Sequence, residues 1–243
     1  MALGRAVAEN TFPPLPPATI SVRRLYGLAA VLALLTLPAL YFDLSLARFF
    51  HELQAHGPGD LRKAISLFEA FGHGIGAVVM VIGVRVLDSN RGWQCWRLLA
   101  CSFGAGIVNL FAKLAVGRSR PQMFGDGALP PGVGDTFRGS FPLSVSDWVA
   151  AFEQGLQSFP SGHSAMAAGL AVGLSWLYPR GRFYFAALAA LTMLQRIESG
   201  AHFPSDTLAG AALGVVVATI CCDTRLLGWR FDRLQPQSDC LAR

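Results

Sequence analysis

Six apolar runs, at residues 25–42, 65–87, 93–116, 161–178, 183–197 and about 204–222, fill most of a chain of 243 residues. A helix that crosses about 30 Å of hydrocarbon at about 1.5 Å per residue needs about 17–25 predominantly apolar residues, and the first three runs have that length. The fifth has 15 residues, which suits a buried helix of a soluble protein unless Glu198 and Ser199 extend it while facing the protein interior. Composition favours the membrane. Only 14% of residues are charged and 53% are hydrophobic, against about 25% and about 45–50% in an average soluble domain. So few charges do not cover a soluble globule of this size, which argues against a cytosolic enzyme. The net charge of +5 is accounted for by basic cytoplasmic loops, without nucleic acid as a partner.

These runs predict an all-α fold: a six-transmembrane-helix bundle over residues 25–222, with a long extracytoplasmic loop between helices 3 and 4. Residues 1–24, with Pro13, Pro14, Pro16 and Pro17, read as a Pro-rich cytoplasmic arm, and residues 223–243 as a cytoplasmic tail. No small-residue cleavage site follows a short apolar core near the start, so the first run reads as a retained helix. With the N-terminus in the cytoplasm, the lysines and arginines divide twelve inside to eight outside, and setting aside Lys113, Arg120 and Arg196 leaves five outside. The loop at 120–160 begins rich in Gly and Pro. From Ser146 it places Trp148, Val149, Phe152 and Leu156 on one face, the pattern of an amphipathic helix at the membrane surface. Glycines four apart (Gly72 and Gly76, Gly169 and Gly173, Gly210 and Gly214) predict close helix contacts. The five cysteines form no paired C-x-x-C, and the histidines no H-E-x-x-H, so neither a disulfide framework nor a structural zinc site is expected.

Charge near a spanning helix is costly and points to function, and it gathers in three places, all on the outer side. Lys113 and Arg120-Pro121 are seven residues apart, close to two helical turns, and so form a potential anion clamp, although for a lone pair snorkelling toward headgroups is the plainer reading. Pro160-Ser161-Gly162-His163 opens the fourth helix. Free N–H groups, a glycine and a hydroxyl there suit a phosphate, and the imidazole can supply a proton. The third is Arg196, His202 and Asp206. The His–Asp spacing of one turn lets Asp206 accept from Nδ1 and present Nε2 as nucleophile or base, although Asp206 as a helix cap is the plainer alternative. His73 and Asn109 read as interhelical hydrogen bonds. Glu198 reads as a partner of Arg196 or substrate, or as a loop acid facing solvent.

Together, Lys113-x6-Arg120-Pro121, Pro160-Ser161-Gly162-His163 and Arg196-x5-His202-x3-Asp206 resemble the tripartite signature of the type 2 phosphatidic acid phosphatase superfamily, which also contains vanadium haloperoxidases and glucose-6-phosphatases. The resemblance runs over 94 residues, from Lys113 to Asp206. It implies catalytic roles for three residues. His202 attacks phosphorus and forms a phosphohistidine, Asp206 orients it, and His163 protonates the leaving oxygen and then activates water. Lys113, Arg120, Ser161, Gly162 and Arg196 would bind the phosphate, with no metal or cofactor. Where the family commonly has Ser before the third-motif Arg, this chain has Gln195, which still donates a hydrogen bond. Arg118 occupies a position the motif leaves free and reads as a headgroup or loop contact.

The resulting expectation is an integral plasma (inner) membrane phosphatase acting at the outer face on a lipid phosphate or diphosphate held in the bilayer. The family suggests phosphatidic acid, phosphatidylglycerol phosphate, undecaprenyl diphosphate and the lipid A phosphate. Phosphotransfer to another acceptor through the same intermediate is the second enzyme reading. Six spans argue against a haloperoxidase, and the pairing of a nucleophile with an acid argues against a protein that only binds phosphate.

Overall fold

The computed structural model describes residues 20–124, 129–139 and 155–235. The helices are α1 (Val22–His56), α2 (Gly59–Ser66), α3 (Glu69–Gly72), α4 (Gly74–Leu87), α5 (Cys95–Ala115), α6 (Gly162–Leu177), α7 (Arg182–Glu198), α8 (Pro204–Cys222) and α9 (Gly228–Asp232). The fold is helical, as the apolar runs predict, apart from a small ribbon in which β1 (Gly117–Arg118) pairs antiparallel with β2 (Phe137–Gly139). Backbone turning back toward the interior after α5 must find partners, and this ribbon supplies them. The amphipathic stretch from Ser146 falls mainly outside the described residues.

Helices α6 and α8 form the centre, with α5 and α7 packed on α6 and α1 lying along α8. Small residues let them approach. A Cβ added at Gly210 of α8 would sit 2.2 Å from the Ser161 carbonyl oxygen, and one at Gly169 of α6 would sit 2.2 Å from that of Cys101 on α5. The core is accordingly built from Ala29, Cys101, Ala168, Ala211, Val215 and Ala218, while Leu34, Leu37, Ile75, Val79 and Phe111 point outward. A second cluster, with Phe71, Leu98, Leu170 and Leu174, adds larger side chains to the interior, while lipid, which gives no hydrophobic drive for burial, leaves many others facing outward.

Among the described residues, three helical segments are long and apolar enough to cross a membrane: Val22–His56, Ser89–Ala115 and Pro204–Cys222. Helices α6 and α7 have 16 and 17 residues. Glu198 does extend α7 and is buried, as a short fifth helix requires. The second run departs from the expected continuous span. It is broken, and the axes on either side of His73 differ by 69°. His73 Nδ1 caps α4 by accepting the Ile75 N–H at 3.3 Å, so this histidine is a local cap and not an interhelical bridge. Gly72 and Gly76 allow the bend: an added Cβ would meet the His163 carbonyl oxygen at 2.6 Å and the Ala70 carbonyl oxygen, respectively. The 14 residues of α4 cover about 20 Å, short of a bilayer core, and the break turns α3 and its Glu69 across the end of the bundle.

Candidate active site

At one end of the bundle, the start of α6, the start of α8 and the ends of α5 and α7 converge. Asn109 of α5 donates Nδ2 to the Pro160 carbonyl at 3.2 Å, the interhelical bond expected of it. Ser161 is the N-cap of α6, its Oγ accepting the Ser164 N–H at 3.4 Å, and its own N–H donates to the Asp206 carbonyl at 2.9 Å. A side chain at Gly162 would come within 3.9 Å of Lys113 Nζ, so the glycine keeps open the space into which this ammonium projects.

His202 sits in the turn between α7 and α8, 3% exposed, its N–H donating to the Arg196 carbonyl at 3.1 Å. Its Nδ1 lies 3.7 Å from Asp206 Oδ2, farther than a hydrogen bond. Asp206 also caps α8, accepting the Phe203 N–H at 2.8 Å, and Ser158 Oγ donates to the same oxygen at 2.6 Å. Asp206 is thus the cap of α8, and the same carboxylate oxygen faces His202 Nδ1. Burial draws the His202 pKa down from 6.5 to about 4, with Asp206 opposing and the positive charges of Lys113 and Arg120 adding to the fall. The imidazole is neutral at pH 7.

Arg196 donates Nη1 to Glu69 Oε1 at 2.9 Å, and His163 Nε2 lies 3.6 Å from the same oxygen. Gln195 reaches the other Glu69 oxygen at 3.3 Å, so it does donate a hydrogen bond. The nitrogens Arg120 Nε, Arg196 Nε and His163 Nε2 are buried without a hydrogen-bond partner among the described residues. Buried donors are normally satisfied, and two orphaned guanidinium N–H groups suit an anion. Glu198 neither faces solvent nor touches Arg196: it pairs with Arg62 at 3.4 Å while Gln54 donates to its carbonyl.

Arg118 corrects the reading as a headgroup or loop contact, because it is fully buried. Its Nη1 donates to Asp206 Oδ1 at 2.5 Å and to Ser205 Oγ at 2.8 Å, its Nη2 to Asp43 Oδ2 at 2.7 Å, and its Nε to Thr136 Oγ1 at 3.0 Å. The guanidinium lies between the rings of Phe203 and Phe137, 4.2 and 4.6 Å from their centroids. Asp43 and Glu69 were missed by motif reading. The signal was present nonetheless, since each is an acid set in or at the edge of an apolar run, where an ionised side chain needs a buried partner.

Long apolar helices and a buried cluster of imidazoles and cations at one end make this an all-α integral membrane protein with a polar site built between its helix ends. The sequence model of the PAP2 superfamily matches residues 94–228, more than half the chain, and the protein belongs to that superfamily. A lipid A 1-phosphatase of Rhizobium etli is 36% identical over 110 residues, 45% of this chain and 41% of that protein. Lipid phosphate phosphatase 2 of Arabidopsis thaliana is 31% identical over 133 residues, 48% of this chain and 45% of that protein. The matched part thus spans less than half the length of these curated relatives. The crystal structure of Aquifex aeolicus LpxE shares the fold at a TM-score of 0.50 and 21% identity, over 73% of this chain and 92% of that one. That of a PAP2-type phosphatidylglycerolphosphate phosphatase from Bacillus subtilis does so at 0.53 and 18%, over 89% and 98%.

Proposed function

We propose that the protein is a membrane phosphatase that hydrolyses a lipid phosphate or diphosphate through a phosphohistidine, without a metal ion. The observation that carries this reading is the neutral, buried His202 backed by Asp206 and set among Lys113, Arg120, Arg196 and His163. His202 Nε2 attacks phosphorus while the bond to the lipid oxygen breaks, and His163 gives a proton to that oxygen; burial, with the charge of Arg196, draws its pKa down to about 3 in the free protein, so it carries this proton only once the negative phosphate is bound beside it. Asp206 accepts a hydrogen bond from Nδ1–H and, remaining ionised, stabilises the positive charge that develops on the ring; contacts of this kind are often long in a free enzyme and shorten in the complex. His163 then removes a proton from water, which attacks the phosphohistidine and releases inorganic phosphate. Lys113, Arg120, Arg196 and the Ser161-Gly162 turn hold the equatorial oxygens and stabilise their charge.

The layout that goes with this function is six spans over residues 25–222, with both termini in the cytoplasm and the site at the outer face of the plasma (inner) membrane, the arm at 1–24 and the tail at 223–243. The lipid chain then stays in the bilayer while its phosphate enters the cation cluster. The Rhizobium relative places lipid A first among the substrates to test. The direct test is phosphate release by detergent-purified protein from a panel of lipid mono- and diphosphates in EDTA, with a His202→Ala control. Release that depends on His202 is expected; none from any lipid by the folded protein sends the assignment to phosphotransfer or binding.

Three further outcomes are expected. Turnover persists in EDTA and is blocked by vanadate, a five-coordinate phosphate mimic that fits the same cage; a strict Mg²⁺ requirement or indifference to vanadate overturns the mechanism. In histidine-labelled protein, one imidazole, lost in His202→Ala, titrates near pH 4 instead of 6.5. Because burial lowers this pKa, the nucleophile is unprotonated above about pH 4 and is lost only as pH falls through that value. A thiol probe added outside cells labels a cysteine placed at Gly134 and leaves Cys240 untouched, and the reverse pattern overturns the orientation.

A further inference from the structure

We propose that Asp43, on the first helix, is a positioning residue for the nucleophile, acting through Arg118 on Asp206. The inference rests on the phosphatase reading above. Asp43, Arg118 and Asp206 have completely buried side chains, and they form one chain of contacts: Asp43 Oδ2 to Arg118 Nη2 at 2.7 Å, and Arg118 Nη1 to Asp206 Oδ1 at 2.5 Å. Ser205 links Asp43 to Arg118 a second time: its N–H donates to Asp43 Oδ1 at 3.0 Å and its Oγ to Asp43 Oδ2 at 2.5 Å, while that Oγ accepts from Arg118 Nη1 at 2.8 Å. Asp43 is about 30 Å along α1 from Val22, at the depth of the cation cluster, and lies outside the residues that the superfamily model matches.

A buried arginine paired only with Asp206 would cancel the carboxylate charge that His202 needs behind it. The second carboxylate divides the guanidinium between two acids, so Asp206 keeps negative charge directed at His202 Nδ1. It also fixes direction. Phe203 N–H and Ser158 Oγ hold Asp206 Oδ2, Arg118 holds Oδ1, and Asp43, with the Phe203 and Phe137 rings, sets the plane of Arg118. The side-chain hydrogen bonds and ion pairs of Asp43 and Arg118 run to Asp206, Ser205, Thr136 and each other, and among the described residues none runs to Lys113, Arg120 or Arg196, so their loss acts on the chemical step and not on phosphate capture. A guanidinium that bridges two carboxylates and is sandwiched between rings is not replaced by an ammonium, so Arg118→Lys resembles a loss and not a conservative change.

The experiment measures kcat, KM and vanadate inhibition for full-length Asp43→Asn, Asp206→Asn and the double variant on the best lipid of the panel. Asp43→Asn lowers kcat about 10- to 100-fold while KM and the vanadate inhibition constant stay within about twofold. On the Asp206→Asn background the same change alters kcat less than about twofold, because its route to His202 is already cut. An unchanged kcat, a loss confined to KM, or equal losses on both backgrounds overturns the proposal. Should Asp43→Asn fail to fold, Ser205→Ala, which removes only the bridging hydroxyl, carries the test: a kcat loss of about threefold or more at constant KM supports it, and none overturns it. Active wild-type enzyme with unimpaired variants strikes this inference alone; inactive wild-type protein strikes the phosphatase reading and takes the inference with it.

Discussion

His202→Ala lowers turnover by at least about 10⁴-fold and leaves the melting temperature of the purified protein unchanged or raised. The two halves of this result have one cause. His202 is 3% exposed, yet its Nδ1 has no hydrogen-bond partner and stands 3.7 Å from the nearest carboxylate oxygen. Its hydrogen bond to Arg196 is made by the backbone N–H, which alanine retains. A desolvated ring with an orphaned nitrogen costs stability, so its removal relieves that cost while deleting the group that attacks phosphorus. Vanadate binding measured by thermal shift stays within about twofold if the cations alone hold the oxyanion. A variant that melts several degrees lower would make His202 a structural residue.

Arg118→Met produces the largest loss of stability, about 3–5 kcal/mol, measured by thermal or denaturant unfolding in detergent. The substitution leaves Asp43 and Asp206, both fully buried, without the cation between them. It also removes the donor to Thr136 Oγ1 and the stacking against Phe203 and Phe137. Combining it with Asp43→Asn recovers part of the loss, since one of the two stranded carboxylates is then gone; the pair is coupled and the two effects do not add. A double variant no more stable than Arg118→Met would mean that the charges are screened by water at that depth.

The helical, membrane-embedded class and the end of the bundle that carries the site were legible in the sequence. Lipid excludes charge and demands that each segment satisfy its own backbone, so apolar runs mark helices almost directly. The boundaries of α8 coincide with the apolar run at 204–222, and α5 and α6 fall within a residue or two of theirs. Lys113, Ser161, Gly162, His163, Arg196 and Asp206 stand at helix ends and His202 in the short turn between two of them, so that a separation of four residues brings His202 near Asp206. The second run resisted this reading. Its composition is apolar throughout, and only the Gly72-His73-Gly74 sequence hints at the bend that places Glu69 against Arg196.

What the sequence determined by itself was solvent, class and the local geometry of three motifs, because each depends on residues within a few turns of one another. What the tertiary structure decided was the company those motifs keep: Asp43 meets Arg118 across 75 positions and Glu69 meets Arg196 across 127. Such pairings are set by the depth and rotation of one helix against another. Those follow from where small residues allow backbones to touch, as Gly210 does at Ser161, and hydrophobic periodicity along a single segment does not encode them.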